Sequence, residues 1–281
     1  MDDDPSVLVT GAGGQVGRAL VHLLPHATFA TRRDLDVTDR VAVAERLQGA
    51  DIVVHLAALT NVDACERDPS RARAVNDQGT SHVTTAADAS GTRVIYLSTD
   101  YVFDGTKEGC YSESDETNPL NAYGSSKLAG ENHILALPGS LVIRTSWVYG
   151  EGRNFITTIL SAARAKRELR VVDDQKGRPT WAEDIAVALA HAIRSDISGI
   201  LHLSGDGPES TWADVAEAAL EAAHLPSTVT RISTSDYVRS AKQPVAARPA
   251  NSMLSLSRPR ELGFVLADWR ESVRAYVGRD A

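Results

Sequence analysis

Cysteine and methionine occur only twice each in the 281 residues, and phenylalanine and tryptophan four times each. Two thiols, Cys65 and Cys110, are too few for a disulfide scaffold or a cysteine-built zinc site. That usage fits a reducing compartment, and the expected location is cytoplasmic. No run of about 18 uncharged apolar residues exists, so no membrane span is expected. The N-terminal Met1-Asp2-Asp3-Asp4-Pro5 lacks the basic start and apolar core of a signal peptide. A net charge of −8 argues against nucleic-acid binding, although an anionic small ligand remains compatible with it. His22 and His26 stand four apart, with Pro25 between them and no third ligand close in sequence, so a metal site there is not expected. His55 sits inside an apolar run and reads as a core histidine. Repeats and low-complexity linkers are also missing. What remains is ordinary globular composition, 43% hydrophobic and 23% charged, in a chain long enough to bury roughly three-quarters of its unfolded surface.

Short apolar runs alternate with helical patterns. Strands are expected at 7–9, 27–30, 52–56, 93–98 and 141–146, and helices at 15–24, 38–47, 70–89 and 122–137. Thr38 is expected to cap the second helix, and Pro69 to start the third. Strands that are apolar throughout, alternating with helices, predict a doubly wound parallel α/β sheet of the Rossmann type. Beyond residue 150 the pattern loosens. Helices at 155–167, 182–193 and 212–223 and strands at 169–172 and 200–203 are expected, while 226–260 reads as irregular. The expected organisation is a dinucleotide-binding domain over 1–150, to which 179–204 returns, and a smaller α/β substrate lobe over 151–281. The lobe would close over the sheet's carboxyl edge, where open α/β sheets bind ligands.

The turn Thr10-Gly11-Ala12-Gly13-Gly14-Gln15-Val16-Gly17 joins the first strand to the first helix. Gly11 permits the tight turn, Gly14 lets backbone approach a pyrophosphate, and Gly17 permits close packing. The N–H groups at Gln15 and Val16 would face the phosphates at the positive end of the helix dipole. A glycine-rich turn without a ligand is the bland alternative, and the position between strand and helix favours a dinucleotide. The second strand ends in Thr31-Arg32-Arg33-Asp34 rather than in an acid alone. Guanidinium groups suit a 2′-phosphate, which favours NADPH, and Asp34 leaves NADH open. Asp36 and Val37 follow, beside the expected adenine position.

Tyr123 and Lys127 stand four apart, on one face of a helix. A nearby ammonium is expected to lower the phenol pKa and make Tyr123 a better proton donor to a developing alkoxide. Ser98 and Thr99 end the fourth strand, where a hydroxyl can bond a substrate carbonyl. Thr99 with Tyr123 and Lys127 is a far stronger signal than any one of them.

These residues resemble the extended short-chain dehydrogenase/reductases and, more narrowly, the dTDP-4-dehydrorhamnose reductase family. The resemblance runs through Asp36–Asp39, Ala57–Asp63, Ser98–Gly105, Asn118–Gly124 and Lys127–Glu131. It continues in Arg144–Gly150, Asn154-Phe155, Val171–Gln175, Gly177–Thr180 and Arg248–Ser252. It implies that Tyr123, Lys127 and Thr99 are catalytic. It places Ala57, Ala58 and Asn76 beside the cofactor, with Lys127 on the nicotinamide ribose. It places Val62, Asp100, Tyr101 and Trp147 at the sugar, where Trp147 either stacks on the ligand or packs in the core. Arg178, Arg248 and Asn251 are candidate contacts to the nucleotide diphosphate, or simply residues of rigid turns. The implied reaction is NADPH-dependent reduction of the C4 ketone of a dTDP-4-dehydro-6-deoxy sugar. Some family members dimerise through magnesium. Ala19 stands where the first of their acids lies, so no protein-bound Mg2+ and a monomer or weak homodimer are expected. Two other readings stay open: a reductase or epimerase of another nucleotide sugar, and a non-catalytic regulatory subunit. Dehydratases carry an Asp-Glu pair after the strand-four threonine, and here Asp100-Tyr101 stands there.

Overall fold

The computed structural model describes residues 5–279, so the acidic N-terminal tetrapeptide lies outside the described residues. Val7–Thr10 (β1) leads through the glycine turn into Gln15–Val21 (α1), followed by Thr28–Ala30 (β2), Arg40–Arg46 (α2) and Ile52–His55 (β3). Next come Val62–Arg67 (α3), Pro69–Arg73 (α4), a π-helical turn at Ala74–Gln78, and Gly79–Ser90 (α5). Arg93–Thr99 (β4), Ala122–Leu135 (α6) and Leu141–Thr145 (β5) follow.

The later elements are Val148–Tyr149 (β6), Phe155–Arg164 (α7), Leu169–Val172 (β7), Lys176–Gly177 (β8), Thr180–Trp181 (β9), Ala182–Ile193 (α8) and Gly199–His202 (β10). The chain finishes with Ser210–Thr211 (β11), Trp212–Ala222 (α9), Val229–Ile232 (β12), Thr234–Ser240 (α10), Ser257–Glu261 (α11) and Trp269–Gly278 (α12).

The main sheet has the order β10-β5-β4-β3-β1-β2, every pair parallel. β1, β3 and β5 are buried along their whole length, as strands covered on both faces must be. One face carries Val9, Leu20, Ile143, Ile185 and Leu189 under α1 and α8. The other carries Leu8, Val43, Val53, Val83 and Ile134 under α2, α5 and α6. A separate core of Ile156, Leu160, Val215, Trp269 and Val273 joins α7, α9 and α12. Register pairs Thr10 with His55 and Thr99 with Thr145, which brings these strand ends to one edge.

Several local readings needed correction. The cap of α2 is Asp39, whose carboxylate accepts from the Val41 and Ala42 N–H groups; Thr38 donates to Asp36 instead. The single helix expected over 70–89 is interrupted by the π turn, which carries the inward-pointing Asn76. Such single π turns inside α-helices are rare and frequently mark functional sites. The stretch 226–260 is more regular than expected. β12 pairs parallel with β7, and Ser233 caps α10. Both escaped notice because β12 has two exposed positions and α10 buries none, so neither leaves an apolar pattern.

His55 is fully buried between Thr10 Oγ1 at 2.7 Å and Thr80 Oγ1 at 3.1 Å, and burial holds its pKa down to about 3. It is a neutral core group, as read from sequence. Arg144 of β5 meets Glu131 of α6 in a buried fork, with Nη2 2.7 Å from Oε2 and Nε 3.0 Å from Oε1. No helix among the described residues is long and apolar enough to cross a membrane.

Candidate active site

A cleft of about 710 Å³ opens at the carboxyl edge of the sheet, between the glycine turn and the stacked Trp147, which precedes β6, and Trp212, which opens α9. Its dinucleotide end is built by backbone. Gly11 has φ +67°, and a Cβ there would lie 2.5 Å from the Ala57 nitrogen, so any side chain would collide with the end of β3. Gly17 is needed less for the strand than for its own turn, since a Cβ would meet Ala12 at 2.6 Å. A side chain at Gly13 would meet nothing nearer than Thr31 at 3.9 Å; it would fill the cleft itself. Gly14 is the N-cap of α1 and supplies no side-chain cap, so the first-turn N–H groups at Gln15 and Val16 remain available to a ligand. Four guanidinium-bearing residues line the cleft, Arg18, Arg32, Arg71 and Arg153, against the carboxylates of Asp36 and Asp100. This open cradle ringed by cations fits an anionic dinucleotide.

Ala57, Ala58, Asp36 and Val37 line the cleft as expected, and so does Arg32; Arg33 does not. The Asp34 carboxylate accepts from Thr31 N and Oγ1 and closes its own turn. Both bonds fall on Oδ2, and Asp34 does not line the cleft. Asp36 is held low by the Thr38 N–H and hydroxyl, and its other oxygen faces Arg32 at 3.6 Å.

The proton-handling end is built by β4 and α6. Thr99 closes β4; its Oγ1 accepts from the Tyr101 N–H at 3.2 Å and donates to Asp100 Oδ1 at 2.9 Å. Asn121 caps α6 through the Gly124 N–H and donates to the Ala247 carbonyl, while Glu66 accepts from the Ala122 N–H. The first turn of α6 is thereby fixed from three sides, and Tyr123 sits in it, edge-on to Tyr101 with ring centroids 5.9 Å apart. Lys127 donates to the Leu97 carbonyl at 2.8 Å, with Nζ 3.9 Å from the centre of the Tyr96 ring. Thr99, Tyr123 and Lys127 thus share one wall with Val62, Asp100 and Tyr101.

The electrostatics differ from the sequence expectation in one respect. Burial pushes the Tyr123 phenol well above its ordinary range, against a smaller opposite pull from the Thr99 hydroxyl. The neighbouring ammonium was expected to lower it. Burial instead brings Lys127 itself down, to about 7, with Glu131 pulling the other way. Tyr123 is a neutral phenol here, a donor rather than a tyrosinate. Burial also raises the Asp100 carboxyl to about 7.

Lys127 therefore makes stability pH-dependent. Between about 7 and its ordinary 10.5 the unfolded chain binds a proton that the folded chain does not, so folding gains from each rise in pH across that window. Lys127→Met removes this term. Urea midpoints of both proteins at pH about 7.5 and about 9.5 should show the parent gaining relative to the variant at the higher pH. An unchanged difference would mean Lys127 is not depressed.

Other assigned residues lie outside the cleft lining. Asn76 is fully buried; it accepts from the Leu59 N–H at 2.7 Å and donates to the Leu59 carbonyl and Ser126 Oγ, bracing the β3 loop against α6. Arg178 gives Nη2 to the Leu254 carbonyl and faces Asp206. Arg248 is forked onto Asp63, and Asn251 donates to the Lys107 and Gly109 carbonyls. The terminal guanidinium nitrogens of both arginines and the Asn251 amide already serve the protein, while Arg178 Nε has no hydrogen-bond partner. Arg18, Arg71, Arg153 and Trp212, by contrast, line the cleft without having been singled out. Arg18, next to Gly17, was the readable signal; the others reach the cleft only through the tertiary fold. Cys65 is buried beside the wall, its thiol raised to about 11 by burial, and is not activated. No cluster of three or more metal-ligating residues exists among the described residues.

Comparison with known proteins agrees with this geometry. The dTDP-4-dehydrorhamnose reductase of Sinorhizobium fredii is 41% identical over 294 residues, covering 97% of this chain and 99% of that one. A dTDP-4-dehydrorhamnose reductase structure from Clostridium acetobutylicum superposes with a TM-score of 0.92 at 33% identity, covering 97% of this chain and 98% of that one. The Bacillus anthracis reductase in complex with NADP gives 0.91 at 31%, covering 98% and 99%. The family model described as the RmlD substrate binding domain matches residues 5–281, and the chain belongs to that family.

Proposed function

We propose that this protein reduces the C4 ketone of dTDP-4-dehydro-β-L-rhamnose to give dTDP-β-L-rhamnose, with NADPH as reductant. The observation that carries the reading is the joining of two features in one cleft: the Gly11–Gly17 cradle, and the Thr99, Tyr123 and Lys127 wall. When bound, the reduced nicotinamide supplies the hydride that turns the ketone into an alkoxide. The chain's own residues handle the oxygen. Thr99 Oγ–H, on turning from Asp100 Oδ1 to the substrate, polarises the C4 carbonyl, and the neutral Tyr123 phenol delivers its proton to O4. Lys127, on the same face of α6, holds the ribose and, in the protonated form favoured below about pH 7, stabilises the charge left on the phenol oxygen. Arg32 at the end of β2 suits the 2′-phosphate that distinguishes NADPH. The diphosphates draw on Arg18 and Arg153 as well as the α1 N-terminus.

Loss of absorbance at 340 nm tests this, using NADPH and enzymatically generated dTDP-4-dehydro-L-rhamnose. Rapid loss is expected, faster with NADPH than with NADH. A folded, cofactor-binding protein that turns over neither reductant would overturn the assignment.

A further inference from the structure

Trp147 is one of only three non-glycine residues with positive φ among the described residues, at +47°. A tryptophan held there carries backbone strain that its surroundings must offset. Those surroundings are built for it. The indole stacks on Trp212 with ring centroids 3.9 Å apart and an interplanar angle of 15°. Phe155 leans on Trp212 in turn, at 4.7 Å. Gly177 leaves room for the ring: a Cβ there would lie 2.7 Å from indole atoms of Trp147. Thr180 N–H donates to the Trp147 carbonyl.

Trp212 is itself pinned. Its Nε1–H donates to Gln175 Oε1 at 3.2 Å, and the buried Gln175 passes Nε2–H to Thr234 Oγ1 at 3.0 Å. Thr234 Oγ1 then donates to Asp174. Thr211, the cap of α9, binds Asp173 and Asp214. The Asp173-Asp174-Gln175 run, which had no role from sequence, thus fixes the place of one ring. Both tryptophans line the cleft that holds Thr99 and Tyr123.

We infer that Trp212 is a positioning residue for substrate: through the stack it holds Trp147 in its strained backbone, so that the indole forms the apolar wall of the sugar site. The ligand this suits is the C–H face of a hexose ring whose C6 is a methyl group. An apolar wall accepts that methyl, whereas a C6 hydroxyl there would lose its water. The inference rests on the reductase reading.

Two closely stacked indoles couple excitonically, so the ligand-free protein should show a far-ultraviolet circular dichroism couplet. Trp212→Ala should abolish the couplet and raise the KM for the sugar nucleotide about 3- to 10-fold, the range for one lost aromatic pair. The KM for NADPH should not move. Trp212→Phe should recover most of the sugar KM, and Gln175→Leu should weaken the couplet and raise the sugar KM less. If the alanine variant does not fold, the phenylalanine and Gln175 variants carry the test. A couplet lost with the sugar KM unchanged overturns the inference, and so does an equal rise in both KM values. Absence of turnover by the unaltered protein overturns the reductase reading instead.

Discussion

Tyr123→Phe is expected to lower kcat by roughly 10²- to 10⁴-fold, the range for losing a positioned general acid. The KM for NADPH should change little. The ring stays, so its edge-on contact with Tyr101 at 5.9 Å survives and α6 keeps its Asn121 cap. Only the hydroxyl goes. Because burial holds Tyr123 neutral, the parent presents a full O–H to the substrate oxygen across the working pH range. The variant must draw that proton from water. The discriminating measurement is single-turnover NADPH oxidation with saturating sugar, which isolates the chemical step from product release. A drop below about tenfold would assign the proton to another group. Asp100, raised to about 7 and one bond from Thr99, would be the first to examine.

Glu131→Ala should cost about 3–5 kcal/mol of stability, because it leaves Arg144 charged and buried. The Arg144 fork on Glu131 has almost no solvent exposure on either side, and the remaining nitrogen, Nη1 of Arg144, has no hydrogen-bond partner. The Phe103 ring 5.1 Å away is a weak substitute for a carboxylate. The pair joins α6 to β5 one turn beyond Lys127, so its loss should also loosen the catalytic helix. Urea unfolding of the variant and of Glu131→Gln gives the answer. The amide can still accept one guanidinium hydrogen bond and should fall between. A loss under about 1 kcal/mol would show that water reaches Arg144 and that the pair is not a buried one.

Much of this site could be read before the fold was seen, and for a physical reason. Gly11, Thr99, Tyr123 and Lys127 lie at the junctions of strands and helices, and those junctions follow from local patterns. Apolar runs such as Ile52–His55 mark strands, and a strand end fixes which residue reaches the edge. The residues that escaped are those whose place depends on distant partners. Trp212 reaches the cleft because Gln175, on a different strand connection, takes its N–H. Arg178 and Arg248 could be read equally as phosphate contacts or as residues of rigid turns, because nothing local shows that the Leu254 carbonyl and Asp63 meet them. The phenol of Tyr123 was misjudged for a related reason. Sequence spacing gives the neighbour Lys127 but not the desolvation, and desolvation wins.

The sheet order has a consequence for how the chain is made. β10 is the sixth strand of the sheet, paired with β5, yet more than fifty residues separate them in sequence. α8, which covers α1, belongs to the same late stretch. A nascent chain released only as far as Gly150 would hold a five-stranded sheet with an open edge at β5 and with Leu20 and Val16 unroofed. Synthesis proceeds at ~5–20 residues per second, so that edge stays bare for several seconds while the intervening stretch emerges. Over that interval the ribosome-bound intermediate is a template for wrong strand pairing.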